Sequence, residues 1–241
     1  MSASQLKILA IGAMTIDHIA WMLFPGYPRE LLPLFMHMIG RITCPVMCFF
    51  IAEGYHHTGN VSRYTRRLFV FALISHFAYR FAAADFSGLG SFIPFLDGNI
   101  LNQTSVMWPL AWGLVMLRTV HSSKISRDWM KVLLVLLICL ITFPSDWSCV
   151  ASLCILAMGT NRGNFKAQMG WMVFYVTIYA LVYALALDPV YGLLQMAVVL
   201  SIPVLRCYNG QRGSTSPGAK WLFYIYYPAH LCVIGFLQWI C

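Results

Sequence analysis

At 241 residues, with 60% hydrophobic side chains, 10% charged ones and a mean hydropathy of +0.71, the chain lacks the polar surface of a water-soluble domain, which carries about 25% charged residues. The net charge of +8 does not make it a nucleic-acid binder, because no basic helix or recognition module of useful length lies outside the apolar runs. The eight cysteines show no zinc-type or CxxC spacing, and no metal is expected.

Apolar stretches of roughly 17–25 residues read as membrane-spanning helices. In chain order they fall at 6–24, 31–54, 68–83, 100–119, 130–144, 147–159, 170–187, 190–205 and 220–241. The expectation is one all-α polytopic bundle of about nine spans, a single domain over residues 1–241. The first stretch has the length of a signal peptide, but Asp17-His18 interrupts its core, so it reads as a retained helix. The fifth and sixth are short for a full crossing at 1.5 Å per residue. They read as a tilted pair or as a re-entrant hairpin buried among the other helices.

Basic residues gather on alternate connections: Lys7, then Arg63, Arg66 and Arg67, then Arg118 to Lys131, Arg162 and Lys166, and Arg206, Arg212 and Lys220. The opposite connections carry Arg29 and Arg80 beside Glu30, Asp85, Asp97, Asp146 and Asp188. By the positive-inside rule the amino terminus is cytoplasmic and the carboxyl terminus periplasmic, in a bacterial inner membrane.

Within the spans a few ionisable residues meet at one depth. Asp17 and His18 lie about ten residues past Lys7, Arg41 about ten into the second span, and His230 ten past Lys220, each roughly 15 Å along a helix. An Asp or Arg there costs about 2.5–3.5 kcal/mol on insertion scales, so such groups pair inside the bundle or line a wet cavity. Asp17 and Arg41 have the complementarity of a buried ion pair, which can be structural, functional or both. That pair does not account for His18 and His230, and histidine is the side chain that moves protons near neutral pH. His76 reaches a similar depth. Pro45 and Pro228 remove the helix hydrogen bonds to the carbonyls of Arg41 and Tyr224. Glu53, His56 and His57 read as an interfacial cluster rather than a metal site, and Trp21, Tyr64, Tyr79 and Trp239 suit interfacial belts.

Five segments in order resemble the TraX family. They are Lys7-Ile8-Leu9-Ala10 into Thr15-Ile16-Asp17-His18-Ile19, Ile39-Gly40-Arg41 through Pro45 to Glu53-Gly54, the stretch 72–79, Gly98-Asn99-Ile100-Leu101, and Leu222-Phe223-Tyr224-Ile225-Tyr226-Tyr227-Pro228-Ala229-His230-Leu231. The chain departs from the family pattern at His76, where an amide is common, and at Asp146-Trp147-Ser148, where Tyr-Gly is usual.

The resemblance implies an N-acetyltransferase that caps the amino terminus of a conjugative pilin, with acetyl-CoA as co-substrate and a membrane-presented acceptor. Its motifs point to His18, Asp17, Arg41, Glu53, Asn99, Tyr224 and His230. On physical grounds His18 is the expected general base, with Arg41 or His230 at the oxyanion. Asp17 orients Arg41. Arg63, Arg66, Arg67, Arg212 and Lys220 are expected at the cofactor phosphates, with Glu53, Tyr224 and Tyr227 along its path, and Asn99 near the acceptor. Two other classes fit midplane charges: a proton-coupled carrier, and a non-catalytic pilus assembly scaffold.

Overall fold

A computed structural model describes residues 1–83, 93, 102–214 and 216–240. Asn99 and the Gly98–Leu101 motif therefore lie outside the described residues, as do Asp85 and Asp97. Among the described residues the chain is helical, with only an isolated bridge between Thr104 and Ser145.

Helix α1 spans Ala3–Leu23 and starts at a capping box, in which the Ser2 hydroxyl and the Gln5 side chain satisfy each other's backbone N–H groups. Helices α2 (Leu31–Gly40) and α3 (Thr43–His57) form one apolar path of 27 residues, bent at Arg41-Ile42. The bend falls where Pro45 cannot donate to the Arg41 carbonyl. Helix α4 (Val61–Ala82) begins at Asn60, whose side chain accepts from the Arg63 N–H, seven residues before the apolar run that marks it in sequence. Helices α5 (Met107–Val120), α6 (Asp128–Thr142), α7 (Val150–Thr160) and α8 (Phe165–Ala186) follow.

The eighth sequence span is broken. Its helix α9 (Pro189–Leu194), capped by Asp188, passes through a 3-10 segment (Gln195–Leu200) into α10 (Ser201–Arg206). Pro203 lacks the N–H that an α-helix would direct to Val199, which suits the tighter turn. Helix α11 (Pro217–Ile240) closes the bundle against α4 and α1.

Among the described residues, five helical paths are long and apolar enough to cross a membrane: Ala3–Leu23, Leu31–His57, Phe165–Ala186, Pro189–Arg206 and Trp221–Ile240. The chain is thus an all-helical membrane protein. Their outward faces carry exposed Leu31, Phe35, Leu181, Leu185 and Phe236, which belong against lipid. The short fifth and sixth stretches differ from each other. Helix α7 is almost wholly buried among α3, α5 and α8, whereas α6 is peripheral, with Leu133, Leu136, Leu137 and Leu140 exposed.

Glycines set the closest approaches. A Cβ at Gly40 would stand 2.3 Å from the Asp17 Cβ, so only glycine lets α2 lie against α1 at the level of the buried charges. Gly40→Ala is expected to destabilise the protein by about 1–3 kcal/mol through overpacking, read as a lower thermal midpoint in detergent. An unchanged midpoint would show that the contact is slack.

Candidate functional site

The two adjacent residues of the first helix face different neighbours, as their separation of about 100° around an α-helix requires. Asp17 turns to α2. Both of its carboxylate oxygens accept from Arg41 Nη2, at 3.1 and 2.9 Å, and Oδ1 also accepts from His37 Nδ1 at 2.7 Å. Arg41 in turn donates from Nη1 to Gln195 Oε1 at 3.0 Å and from Nε to the His37 carbonyl at 3.3 Å. Its guanidinium lies 5.3 Å over the Trp147 ring. The expected Asp17–Arg41 pair is therefore real, and four elements converge on it: α1, the α2–α3 bend, the 3-10 segment and the loop before α7.

His37 is a member of this cluster that sequence reading passed over. It is fully buried, packed 4.6 Å from Trp21 and 5.5 Å from Tyr191, and its Nε2 has no hydrogen-bond partner. Because Nδ1–H donates to Asp17, Nε2 carries a lone pair. The available signal was its position one turn before Arg41, on the same face of α2.

His18 turns to α11. Its Nδ1 lies 2.6 Å from His230 Nε2, with the two rings nearly parallel. His230 Nδ1 is 2.9 Å from the Tyr226 carbonyl, and a carbonyl only accepts, so that nitrogen carries the proton. His230 Nε2 is then the acceptor, and His18 Nδ1 donates to it. The chain of donors leaves the lone pair of His18 on Nε2. One turn earlier, the Thr15 hydroxyl meets Tyr226 Oη at 2.8 Å and pins the same two helices together.

His18, Asp17 and Arg41 line a cavity of about 460 Å³, a volume typical of small-ligand sites. The cavity is elongated. Along α11 its wall runs from Phe223 through Tyr227, Leu231 and Ile234 to Gln238, fifteen residues or roughly 22 Å. One end meets the loop cluster of Gly26, Tyr27, Asn102 and Asp146. At the Phe223 end stands Lys7, whose Nζ lies 5.2 Å from both the Phe50 and Phe223 ring centres. Lys7 has no carboxylate partner among the described residues. Beside it Arg67 stacks over Tyr64 and Tyr224 at 5.8 and 6.0 Å, with a buried Nε that has no partner.

The expected cofactor residues thus divide. Arg67 and Tyr224 form one cluster, and Tyr227 lines the cavity itself. Arg63 and Arg66 are exposed. Glu53 belongs elsewhere: it accepts from Arg162 at 3.0 and 3.3 Å, at the rim of a separate depression of about 940 Å³ that also includes Lys166 and Arg206. His56 turns to the Gly159 carbonyl at 3.0 Å, and among the described residues no three His, Cys, Asp or Glu are placed to hold a metal. His76 is buried on α4 against Thr104 Oγ1 and does not line the cavity. Three belt assignments are corrected, since Trp21 and Tyr79 line the cavity, and Tyr64 is buried under Arg67. Trp239 remains exposed.

The fold and site define a polytopic helical membrane protein built around a partly open cavity, with paired histidines and a buried carboxylate–guanidinium cluster at its wall. The family described as TraX protein matches residues 2–238, and the chain belongs to it. It is 27% identical, over 97% of its own length and 94% of the relative's, to a protein of Dichelobacter nodosus named probable fimbrial assembly protein FimC, serogroup H1. No solved structure matches the chain.

Proposed function

We propose that the protein is an inner-membrane acetyltransferase that moves an acetyl group from cytosolic acetyl-CoA to the amino terminus of a membrane-inserted pilin subunit. The observation that carries this reading is the His18–His230 pair, which leaves a base of defined tautomer at the wall of a cavity large enough for a thioester and an amine. The family and the relative's role in fimbrial assembly supply the setting. The excess of basic residues at the Lys7 end supports a cytoplasmic position for that end.

In this reading the acetyl-CoA phosphates sit at Lys7 and Arg67, with Arg212 close by, and the pantetheine arm passes Phe223 towards His18. Lys7 and His18 are eleven residues apart on α1, roughly 16 Å. The acceptor nitrogen attacks the thioester carbonyl as His18 Nε2 takes its proton. The N–C bond forms, the C–S bond breaks, and the proton passes from His18 to the leaving thiolate. His230 has both ring nitrogens engaged, so it positions His18 and does not reach the oxyanion. Arg41 has five N–H donors and only three partner groups, so it keeps a donor for the tetrahedral intermediate.

Purified protein in nanodiscs, given labelled acetyl-CoA and a peptide with the pilin amino-terminal sequence, is expected to transfer label to the peptide. Absence of transfer, together with substrate flux in proteoliposomes, would replace this reading with a carrier. Lys7→Gln and Arg67→Gln are each expected to raise the KM for acetyl-CoA about tenfold while changing kcat little, because a charge-assisted hydrogen bond contributes about 1.5–3 kcal/mol. Steady-state kinetics with varied acetyl-CoA checks this, and a wild-type KM in both variants would move the phosphates elsewhere.

A further inference from the structure

At the loop end of the cavity one carboxylate is in no ion pair among the described residues, and the cation whose charge reaches it, Arg41, is already bonded to Asp17. Asp146 lies in the connection between α6 and α7 and lines the cavity wall. Its loop is strapped down: Gln103 N donates to the Pro144 carbonyl at 2.7 Å, Asp146 N to the Thr104 carbonyl at 2.8 Å, and Ser148 N to the Ser145 carbonyl at 2.8 Å. Trp147 and Ser148 both take left-handed backbone conformations, with φ of 64° and 48°. Such conformations are costly for non-glycine residues and persist only where the surroundings impose them. The strain and the three straps hold the Asp146 carboxylate at a fixed place.

The charges of the cavity do not balance. Its described lining holds two carboxylates, Asp17 and Asp146, and one permanent cation, Arg41. Arg41 is hydrogen-bonded to Asp17, whereas Asp146 is in no ion pair among the described residues. Tyr79 from α4, Tyr179 from α8 and Tyr227 from α11 line the same cavity, and Trp147, next in the chain, stacks on Tyr179 with ring centres 6.0 Å apart. A fixed carboxylate among aromatic rings is suited to an ammonium group, which gains from both the charge and the ring faces. A neutral hydroxyl can donate a hydrogen bond to the carboxylate but gains neither the full ion pair nor the cation–π attraction.

We propose that Asp146, with Tyr79 and Tyr179, is the subsite that holds the protonated amine of the acceptor, and so selects amine over hydroxyl acceptors. This rests on the transferase reading and adds the residues that bind the acceptor amine. The ammonium docks at Asp146, releases one proton to water, and attacks as the free amine. His18 Nε2 takes the second proton as the N–C bond forms, the C–S bond breaks, and the thiolate receives that proton from His18.

The subsite is tested by binding first and transfer second. Full-length protein in nanodiscs is titrated with a hydrophobic peptide bearing a free amino terminus, and with the same peptide N-acetylated, and tryptophan fluorescence is followed. The free-amine peptide is expected to bind at least tenfold more tightly, and Asp146→Asn is expected to abolish that preference with the thermal midpoint unchanged. Burial pushes the Asp146 carboxyl up to about 6, so the carboxylate exists above that pH and is lost below it. Free-amine binding is therefore expected to weaken as pH falls through about 6 in the wild type and to stay flat in Asp146→Asn. The other ionisable groups facing this stretch are Arg41, Asp17, His18 and the three tyrosines, and all of them remain in the variant.

In the transfer assay, Asp146→Asn is expected to raise the acceptor KM tenfold or more for the amine peptide and to leave an isosteric hydroxy-terminated peptide unaffected. Equal loss for both acceptors, or a lowered midpoint, would make Asp146 a second counter-charge for Arg41 and overturn the proposal. Retained amine preference in Asp146→Asn would do the same. Amine-selective binding without any transfer would leave the subsite standing and remove the transferase reading.

Discussion

Replacing His18 with alanine is expected to lower acetyl transfer by about 10²–10⁴-fold, the range a general base supplies, with acetyl-CoA binding intact. The expectation follows from the donor chain. The Tyr226 carbonyl fixes the proton on His230 Nδ1, His230 Nε2 fixes the proton on His18 Nδ1, and the lone pair left is on Nε2 of His18, which lines the cavity. Removing His230 acts one step further away. In His230→Phe the ring volume remains, but His18 is free to choose its tautomer, so a smaller fall in kcat is expected with the KM for acetyl-CoA held. Single-turnover transfer with the two variants side by side checks the order. If His230→Phe cost as much as His18→Ala, His230 would take part in the chemistry directly.

The second large effect concerns the fold. Arg41→Ala leaves Asp17 charged and buried with only His37 beside it, and also strips donors from Gln195 Oε1 and the His37 carbonyl. Breaking a buried pair by removing one partner costs about 3–5 kcal/mol. That is a large fraction of the roughly 5–15 kcal/mol by which proteins are stable. The measurement is unfolding by denaturing detergent from mixed micelles. Arg41→Lys is expected to recover only part of the loss, since an ammonium cannot span Asp17, Gln195 and the His37 carbonyl at once. Full recovery would mean that charge alone, without the planar fork, holds the cluster.

The long apolar helices, the engagement of Asp17, His18, Arg41 and His230 in the bundle's contacts, and the pairing of Asp17 with Arg41 can all be read from spacing. These features follow from helical rise and the cost of burying charge, which are local and additive. What could not be read is who faces whom around each helix. Asp17 and His18 are adjacent in sequence and serve different clusters, because one turns to α2 and the other to α11.

Tyr79 and Trp21 have the residue types of an interfacial belt, and only the packing of α4 and α1 shows that they face inward. Glu53 has the spacing of the basic-end cluster, yet its partner Arg162 lies 109 residues on. Gln195 gave no signal because it looks like an isolated polar residue until the 3-10 segment brings it to Arg41, and the one-turn spacing of His37 from Arg41 does not by itself show that it meets Asp17. Asp146 stood out in sequence only as a departure from the family pattern. Its role depends on a turn that uses left-handed residues other than glycine, which no propensity predicts.

The most direct test of the central claim is a structure of the protein with CoA bound in a lipid nanodisc. The account predicts phosphates at Lys7 and Arg67, and a sulfur within hydrogen-bonding reach of His18 Nε2. CoA seated in the depression of Glu53, Arg162 and Arg206 with its sulfur away from the His18 cavity, or no bound CoA at saturating concentration, would contradict it.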